Sequence, residues 1–119
     1  MLIVHLYQGG KNQIKRKILN SANAYSGATS ALYIDENKSI INVSSEIEKQ
    51  YNWIDGKRTD EVVGYRAYFV QEGVNPFVVK FEKEPTLPPF LSEVKLDNLE
   101  AIEIRTNVYF RATGVRVVK

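Results

Sequence analysis

Tyrosine and arginine alternate with apolar residues in one long segment of this 119-residue chain, and this pairing is the first candidate for chemistry. The segment is GKRTDEVVGYRAYFVQ, residues 56–71. Successive side chains of a β-strand point to opposite faces, so Arg66 and Tyr68 fall on the face away from Tyr65 and Phe69. We expect Tyr65 and Phe69 to pack in the core, which leaves Arg66 and Tyr68 exposed on the outer face.

Two later segments repeat this combination of an aromatic ring and a cation. Lys80 is predicted to face outward from one apolar strand, and Tyr109 and Arg111 from another. The opposite faces of these strands are assigned to the core: Phe77, Val79, Phe81, Val108, Phe110 and Ala112. A closed sheet would bring the outward faces of the separate strands together.

Single-stranded nucleic acid is bound by this combination of residues. Cations hold the phosphates, and rings stack on unpaired bases at roughly 1–3 kcal/mol per base, with little sequence preference. Trp53, Lys57 and Arg58 cluster in the turn before the long strand and extend the surface. The predicted DNA-binding residues are Trp53, Lys57, Arg58, Arg66, Tyr68, Lys80, Tyr109 and Arg111. The alternative is that Tyr is present for its strand propensity, while Arg and Lys keep an outer sheet face hydrated.

Groups for catalysis or metal binding are scarce. His5 is the only histidine, and the absence of cysteine excludes thiol nucleophiles, disulfides and Cys-based zinc sites. Asp60 and Glu61 are adjacent, so in a strand they point to opposite faces instead of converging on a metal ion. No glycine-rich phosphate-binding pattern occurs. We predict a protein that is not an enzyme, needs no cofactor and holds no metal.

Charge is distributed unevenly along the chain. The net charge is only +2, yet all 14 acidic residues lie between Asp35 and Glu103, and the segments 1–34 and 104–119 carry basic residues alone. If the two ends meet on one face, that face can bind a polyanion despite the near-neutral total. The apolar start MLIVHLY is far shorter than the ~20 residues of a membrane span, and we predict a cytoplasmic protein without membrane association.

Segments with a period of two dominate the sequence and predict seven to nine short strands with little helix. We expect an N-terminal hairpin from LIVHLY and QIKRKIL, a loop at NSANAYSGATS, and a second hairpin that turns at DENK. The best helix-start signal is in SSEIEKQYN, where Ser44 or Ser45 precedes two glutamates. It predicts two helical turns at most.

Many strands with little helix hide their edges by closing into a barrel or stacking as a sandwich. Gly64 and Gly114 lie inside long strands, where glycine marks a bulge or a tight bend. We predict an all-β fold with an OB-fold-like five-stranded barrel, whose first strand is TDEVVGYRAYFVQ, bent at Gly64. The next four strands are expected to start near Pro76, Phe90, Glu100 and Asn107. A small SH3-like barrel and a sandwich stay open as alternatives.

One domain is predicted to cover residues 1–119. Within it, residues 1–52 would form N-terminal hairpins or an arm, and residues 53–119 would form the core barrel strands. The final strand is expected to be a sheet edge that can pair subunits.

The stretch DGKRTDEVVGYRAYFVQEG, with PFVVKFEKE, PP and YFRATGVRVV after it, resembles a group of small OB-fold single-stranded DNA-binding proteins. Phages and conjugative elements of Gram-positive bacteria encode these proteins, and in size and layout the chain is most similar to those of lactococcal tailed phages. The similar part runs from residue 53 to residue 119 and consists of strand and turn patterns. Cellular proteins of this function commonly end in an acidic tail, whereas this chain ends in RATGVRVVK, which is basic and strand-like.

The resemblance implies a non-sequence-specific single-stranded DNA-binding protein that acts in phage DNA replication and recombination. It further implies a homo-oligomer in the host cytoplasm, with replication or recombination proteins as partners. Stacking and phosphate contacts serve both nucleic acids, so the choice between DNA and RNA stays open. The alternative function is a β-barrel or sandwich module that binds only protein, such as a phage structural or host-interaction protein. The acidic middle of the chain and the edge strands favour that alternative.

Overall fold

A computed structural model of the protein describes residues 24–118, and 56% of these residues are in strands against 5% in helix. This part of the chain is therefore nearly all β. Its elements are helix α1 (Gly27–Ala31) and strands β1 (Ile40–Asn42), β2 (Glu48–Ile54), β3 (Lys57–Gln71), β4 (Val74–Phe81), β5 (Glu93–Asp97), β6 (Glu100–Ile104), β7 (Asn107–Arg111) and β8 (Gly114–Val117).

The strands form one sheet in the order β6-β7-β4-β3-β1-β5-β8, and β2 pairs with β3 in addition. Neighbouring strands are antiparallel except for the parallel pair of β4 and β7. β5 and β6 lie at nearly opposite ends of this order, yet only Asn98 and Leu99 separate them in the chain. Two residues span at most about 7 Å, so the sheet must curl to bring its ends together. The result is a curled half-barrel, which confirms the predicted all-β, barrel-like fold class.

The core fills the concave side of the sheet with residues that the alternation places there. Phe69, Phe77, Phe81 and Val79 are completely buried. The ring of Phe77 lies 6.2 Å from that of Phe69 and 5.3 Å from that of Phe110, centroid to centroid. Burial of each such side chain contributes about 1.5–3 kcal/mol. The core predicted for β3, β4 and β7 is confirmed, with Tyr65 only partly buried at its margin.

The helix predicted in SSEIEKQYN is wrong, because this stretch enters β2 and pairs with the long strand β3. Ser44 does not cap a helix. Its hydroxyl oxygen accepts a hydrogen bond from the backbone N–H of Tyr68, across the sheet. Pairing with a distant strand therefore overrides a weak local signal.

Two further predictions before β2 differ from the structure. The predicted loop NSANAYSGATS contains α1, which begins after Ser26, whose hydroxyl accepts a hydrogen bond from the Thr29 N–H at 3.0 Å. The predicted hairpin at DENK has a strand only on its second side, β1. The predicted N-terminal hairpin, like His5, lies outside the described residues.

The long strand β3 is the predicted first barrel strand, and two strands, β1 and β2, precede it in the chain. β1 and β2 both pair with β3, and β4 pairs with its other edge, so β3 lies inside the sheet. The predicted boundary between residues 52 and 53 falls within β2. The predicted last strand is two strands, β7 and β8, separated just before Gly114. β8 lies at an end of the described sheet, as expected of an edge.

Among residues 24–118, no helix is long and apolar enough to cross a membrane.

Candidate nucleic-acid interface

Five charged residues occupy directly opposite positions on five adjacent strands. The backbone register pairs Glu48 with Arg66, Arg66 with Lys80, Lys80 with Arg111, and Arg111 with Glu100. Directly opposite residues of neighbouring strands project to the same face of a sheet. These five residues, here called the charged row, therefore cross the outer face of the sheet from β2 to β6. Their order places three cations between two carboxylates.

At the β2 end of the row, Glu48 accepts two hydrogen bonds on one oxygen. Arg66 Nη2 donates to Glu48 Oε1 at 2.9 Å, and the Tyr68 hydroxyl donates to the same atom at 2.8 Å. Arg66 has 29% of its side chain exposed, and Tyr68 is only 8% exposed. Burial, and next the hydrogen bond to Glu48, raise the pKa of Tyr68 to about 12.

The prediction that Tyr68 lies exposed is therefore wrong. The connection between β1 and β2 runs beside it: Val43 N–H donates to the Tyr68 carbonyl at 3.0 Å, and Ser44 accepts from its N–H. Alternation along β3 places Tyr68 on the outer face, but this connection and Glu48 border the residue there. Arg66 shares that face, as predicted, but it is held in an ion pair.

At the β6 end of the row, Arg111 is more open. Its Nε donates to Glu100 Oε1 at 2.9 Å, and 52% of its side chain is exposed. The guanidinium carbon lies 4.2 Å from the centre of the Tyr25 ring, a cation–π contact. Within residues 24–118 the two terminal amino groups of Arg111 have no hydrogen-bond partner. Glu100 and Tyr25 therefore orient the guanidinium and leave most of its donors available.

Lys80 lies between the two arginines on β4 and is exposed. In the described part of the chain it forms no ion pair. A Cβ atom at Gly64 would come within 2.8 Å of Lys80 Cε and 3.2 Å of Gln50 Oε1, so the glycine leaves room for the lysine stem to cross β3. The register of β2 and β3 shifts beside Gly64, at the predicted bend.

A groove of about 690 Å³ lies beside the open end of the row. Tyr25, Lys80, Lys83 and Arg111 line it, together with two glutamates and polar residues of the β5–β6 and β7–β8 connections. Tyr109, two residues before Arg111 on the same face, is 39% exposed. Partial burial raises the pKa of Tyr25, an effect that the charge of Arg111 opposes and Tyr109 adds to. Aromatic rings and cations therefore lie close together at the open end of the row.

Tyr25 was missed in the sequence. It stands in a stretch rich in small polar residues, and its position depends on the next residue, Ser26. The backbone of Ser26 forms an antiparallel bridge with Ala101 of β6 through two hydrogen bonds of 3.0 Å. This long-range pairing sets Tyr25 beside Glu100 and Arg111, and no local pattern indicates it.

Trp53, Lys57 and Arg58 lie on a second surface. Residues 51–63 form a two-stranded ribbon, because β3 pairs with β4 only from Tyr65 onward. On the ribbon Trp53 opposes Arg58 and is 63% exposed, and the Arg58 guanidinium carbon lies 4.4 Å from the centre of the Tyr51 ring. Arg58 is eight residues from Arg66 along β3, or roughly 25 Å.

The structure thus divides the eight predicted residues between two surfaces. The ribbon holds three of them, and the outer face of the sheet holds the other five: Arg66, Tyr68, Lys80, Tyr109 and Arg111. Among residues 24–118 no group of three or more His, Asp or Glu side chains is placed to hold a metal ion. Both surfaces present cations and aromatic rings, which allow electrostatic attraction and stacking.

Comparison of the chain with protein-family models, curated proteins and solved structures found no match.

Proposed function

We propose that this protein is a non-sequence-specific single-stranded DNA-binding protein, and that the outer face of the sheet is its main contact surface. Lys80 and Arg111 hold phosphates, and Tyr109 and Tyr25 stack on unpaired bases. The observation that carries the proposal is the in-register row of Arg66, Lys80 and Arg111 on three adjacent strands, with the rings of Tyr25 and Tyr109 beside its open end.

The dimensions of the face suit a flexible strand. Arg66 and Arg111 are two strand spacings apart, about 10 Å, with Lys80 between them. A nucleic-acid backbone that runs along the row crosses β3, β4 and β7 and meets one cation on each of these strands. Stacking on Tyr109 requires an unpaired base, because the faces of paired bases are covered in a duplex. The arrangement favours a single strand over a double helix.

The ribbon would add a second contact. Arg58 and Lys57 carry charge at its tip, and the exposed Trp53 ring offers a stacking platform. In this proposal a strand longer than the charged row reaches the ribbon, and both surfaces then contribute to affinity.

A role in phage DNA replication or recombination, a homo-oligomeric state and replication or recombination partners belong to the same proposal. The resemblance of residues 53–119 to phage single-stranded DNA-binding proteins supports them. The edge strand β8 supports the oligomer, because its outer backbone groups face no other described strand and Val117 is 42% exposed.

The second candidate is a protein-interaction module without DNA affinity. The same edge strand favours it, since an unpaired edge can add a strand from a partner. The two candidates differ in one measurable property, the affinity for nucleic acid.

Fluorescence titration of a labelled dT oligomer at low and at moderate salt tests the proposal. We expect binding at low salt that weakens as salt rises, because phosphate contacts release counterions. No binding at low salt would refute the proposal and leave the protein-interaction module. A parallel titration with an rU oligomer reports whether the face distinguishes DNA from RNA.

A further inference from the structure

We infer that Glu48 and Glu100 compete with nucleic-acid phosphates for the cations of the charged row and so set the affinity of the face. This inference rests on the proposed function. It concerns the two glutamates at the ends of the row, whose negative charge opposes the binding of an anion.

Each carboxylate occupies a place that a phosphate oxygen could take. Glu48 Oε1 lies 2.9 Å from Arg66 Nη2, and Glu100 Oε1 lies 2.9 Å from Arg111 Nε. Arginine binds carboxylates and phosphates with the same planar set of N–H donors. A phosphate that approaches either arginine therefore shares it with a carboxylate or displaces that carboxylate.

The register makes this competition a property of the whole row. Because both glutamates are directly opposite an arginine, the row carries three positive and two negative charges within four strand spacings. Its net charge is thus close to that of Lys80 alone. The row attracts phosphates only weakly at a distance, although it offers three cations at close range.

The two carboxylates are held to different degrees. Glu48 also accepts the Tyr68 hydroxyl, so it is fixed from two sides. Within the described part of the chain, Glu100 accepts only the Arg111 Nε, so a single hydrogen bond holds it. The consequence of both is a face that makes fewer effective phosphate contacts, and so binds its strand more weakly, than its three cations alone would.

Replacement of each glutamate by glutamine is the matching experiment. Glutamine keeps an oxygen that can accept the hydrogen bonds of Arg66, Tyr68 or Arg111, and it removes the negative charge. The variants are Glu48→Gln, Glu100→Gln and their combination, with Glu36→Gln as the control for loss of one exposed negative charge away from the row. Circular dichroism confirms that each variant retains its strand content.

Each variant is titrated with the dT oligomer over a range of salt concentrations. One additional effective phosphate contact steepens the slope of log K against log salt by about 0.7 for a single strand. We expect this change for Glu48→Gln and for Glu100→Gln, with about fivefold tighter binding near 0.1 M salt, and about twice the slope change for the combination. Glu36→Gln should stay near the wild-type slope.

The outcomes separate the inference from the proposed function. If neither the wild-type protein nor any variant binds at low salt, the proposed function fails and the inference with it. If the wild-type protein binds but the row variants behave like Glu36→Gln, or bind more weakly, the inference fails and the function stands. Because Glu100 is partly exposed and lies away from Tyr68, Glu100→Gln decides the matter even if Glu48→Gln does not fold.

Discussion

The two ends of the charged row contain the same pair of residue types, an arginine directly opposite a glutamate, in two different surroundings. At the Arg66 end, Glu48 also accepts the hydroxyl of Tyr68, a ring that is 8% exposed beside the β1–β2 connection. At the Arg111 end, the arginine is 52% exposed and borders a groove. Identical cross-strand pairs can therefore serve different purposes, and what borders them decides which.

We therefore expect the Arg66 end to stabilise the sheet and the Arg111 end to make the proposed contact with DNA. The Arg66 end links β2 to β3 through a network of partly buried hydrogen bonds, which are strong when one partner is charged. The Arg111 end is an exposed ion pair, and pairs of that kind contribute only about 0–1 kcal/mol to stability. Three tests of this contrast follow, with the greatest expected effect first.

The largest effect is expected at Tyr68. Its replacement by alanine removes a buried ring and leaves Glu48 without one donor, so Tyr68→Ala should lower the free energy of unfolding by about 3–5 kcal/mol. The matched change on the open side, Tyr109→Ala, should cost under about 1 kcal/mol, as is usual for an exposed position. Urea unfolding measures both values. Equal losses at the two tyrosines would remove the contrast.

The arginines are expected to separate in DNA affinity. Arg111→Ala should weaken binding of the dT oligomer about fivefold near 0.1 M salt through the loss of one phosphate contact. Arg66→Ala should weaken it less, because Glu48 already holds that side chain. The control is Arg116→Ala, because Arg116 on β8 forms an ion pair with Asp97 on β5 and is not part of the charged row. A larger loss for Arg66→Ala than for Arg111→Ala would reverse the roles assigned to the two ends.

The smallest effect concerns the titration of Tyr68. Its pKa of about 12 lies above the ordinary value of 10.0, so the folded protein holds this proton more tightly than the unfolded chain. The resulting stability is fully present below pH 10 and is lost as the pH rises toward about 12.

Glu48→Gln should lower the pKa of Tyr68, because an amide does not repel the phenolate as a carboxylate does. Burial, the larger cause, remains. The ultraviolet absorbance of phenolate, followed against pH, measures the change, and Tyr68→Phe identifies which step belongs to Tyr68. An unchanged step in Glu48→Gln would show that the carboxylate does not act on this hydroxyl.

Much of the outer face follows from local alternation in the sequence. Phe77, Val79 and Phe81 lie inside, so Lys80 lies outside, and the same reasoning places Tyr109 and Arg111. A period of two reports which face a residue occupies, and this depends only on its own strand.

The remainder depends on which strands become neighbours. Glu48 and Glu100 join the row through the register of β2 and β6, and Tyr25 joins it through the bridge of Ser26 to Ala101. The burial of Tyr68 depends on a connection more than twenty residues earlier in the chain. Contacts between segments so far apart cannot be predicted from the local sequence pattern. The helix wrongly predicted before β2 has the same cause, because that stretch pairs with the distant strand β3.

Lys80 is the position at which the claim that the charged row binds a single strand of DNA is best examined. It is the middle cation of the row and forms no ion pair within residues 24–118. Lys80→Ala, titrated with the dT oligomer over a range of salt, should flatten the slope of log K against log salt by about 0.7 and weaken binding at low salt. Lys95→Ala, at an exposed lysine on β5, should leave both unchanged. Equal slopes and affinities for the two variants would contradict the claim.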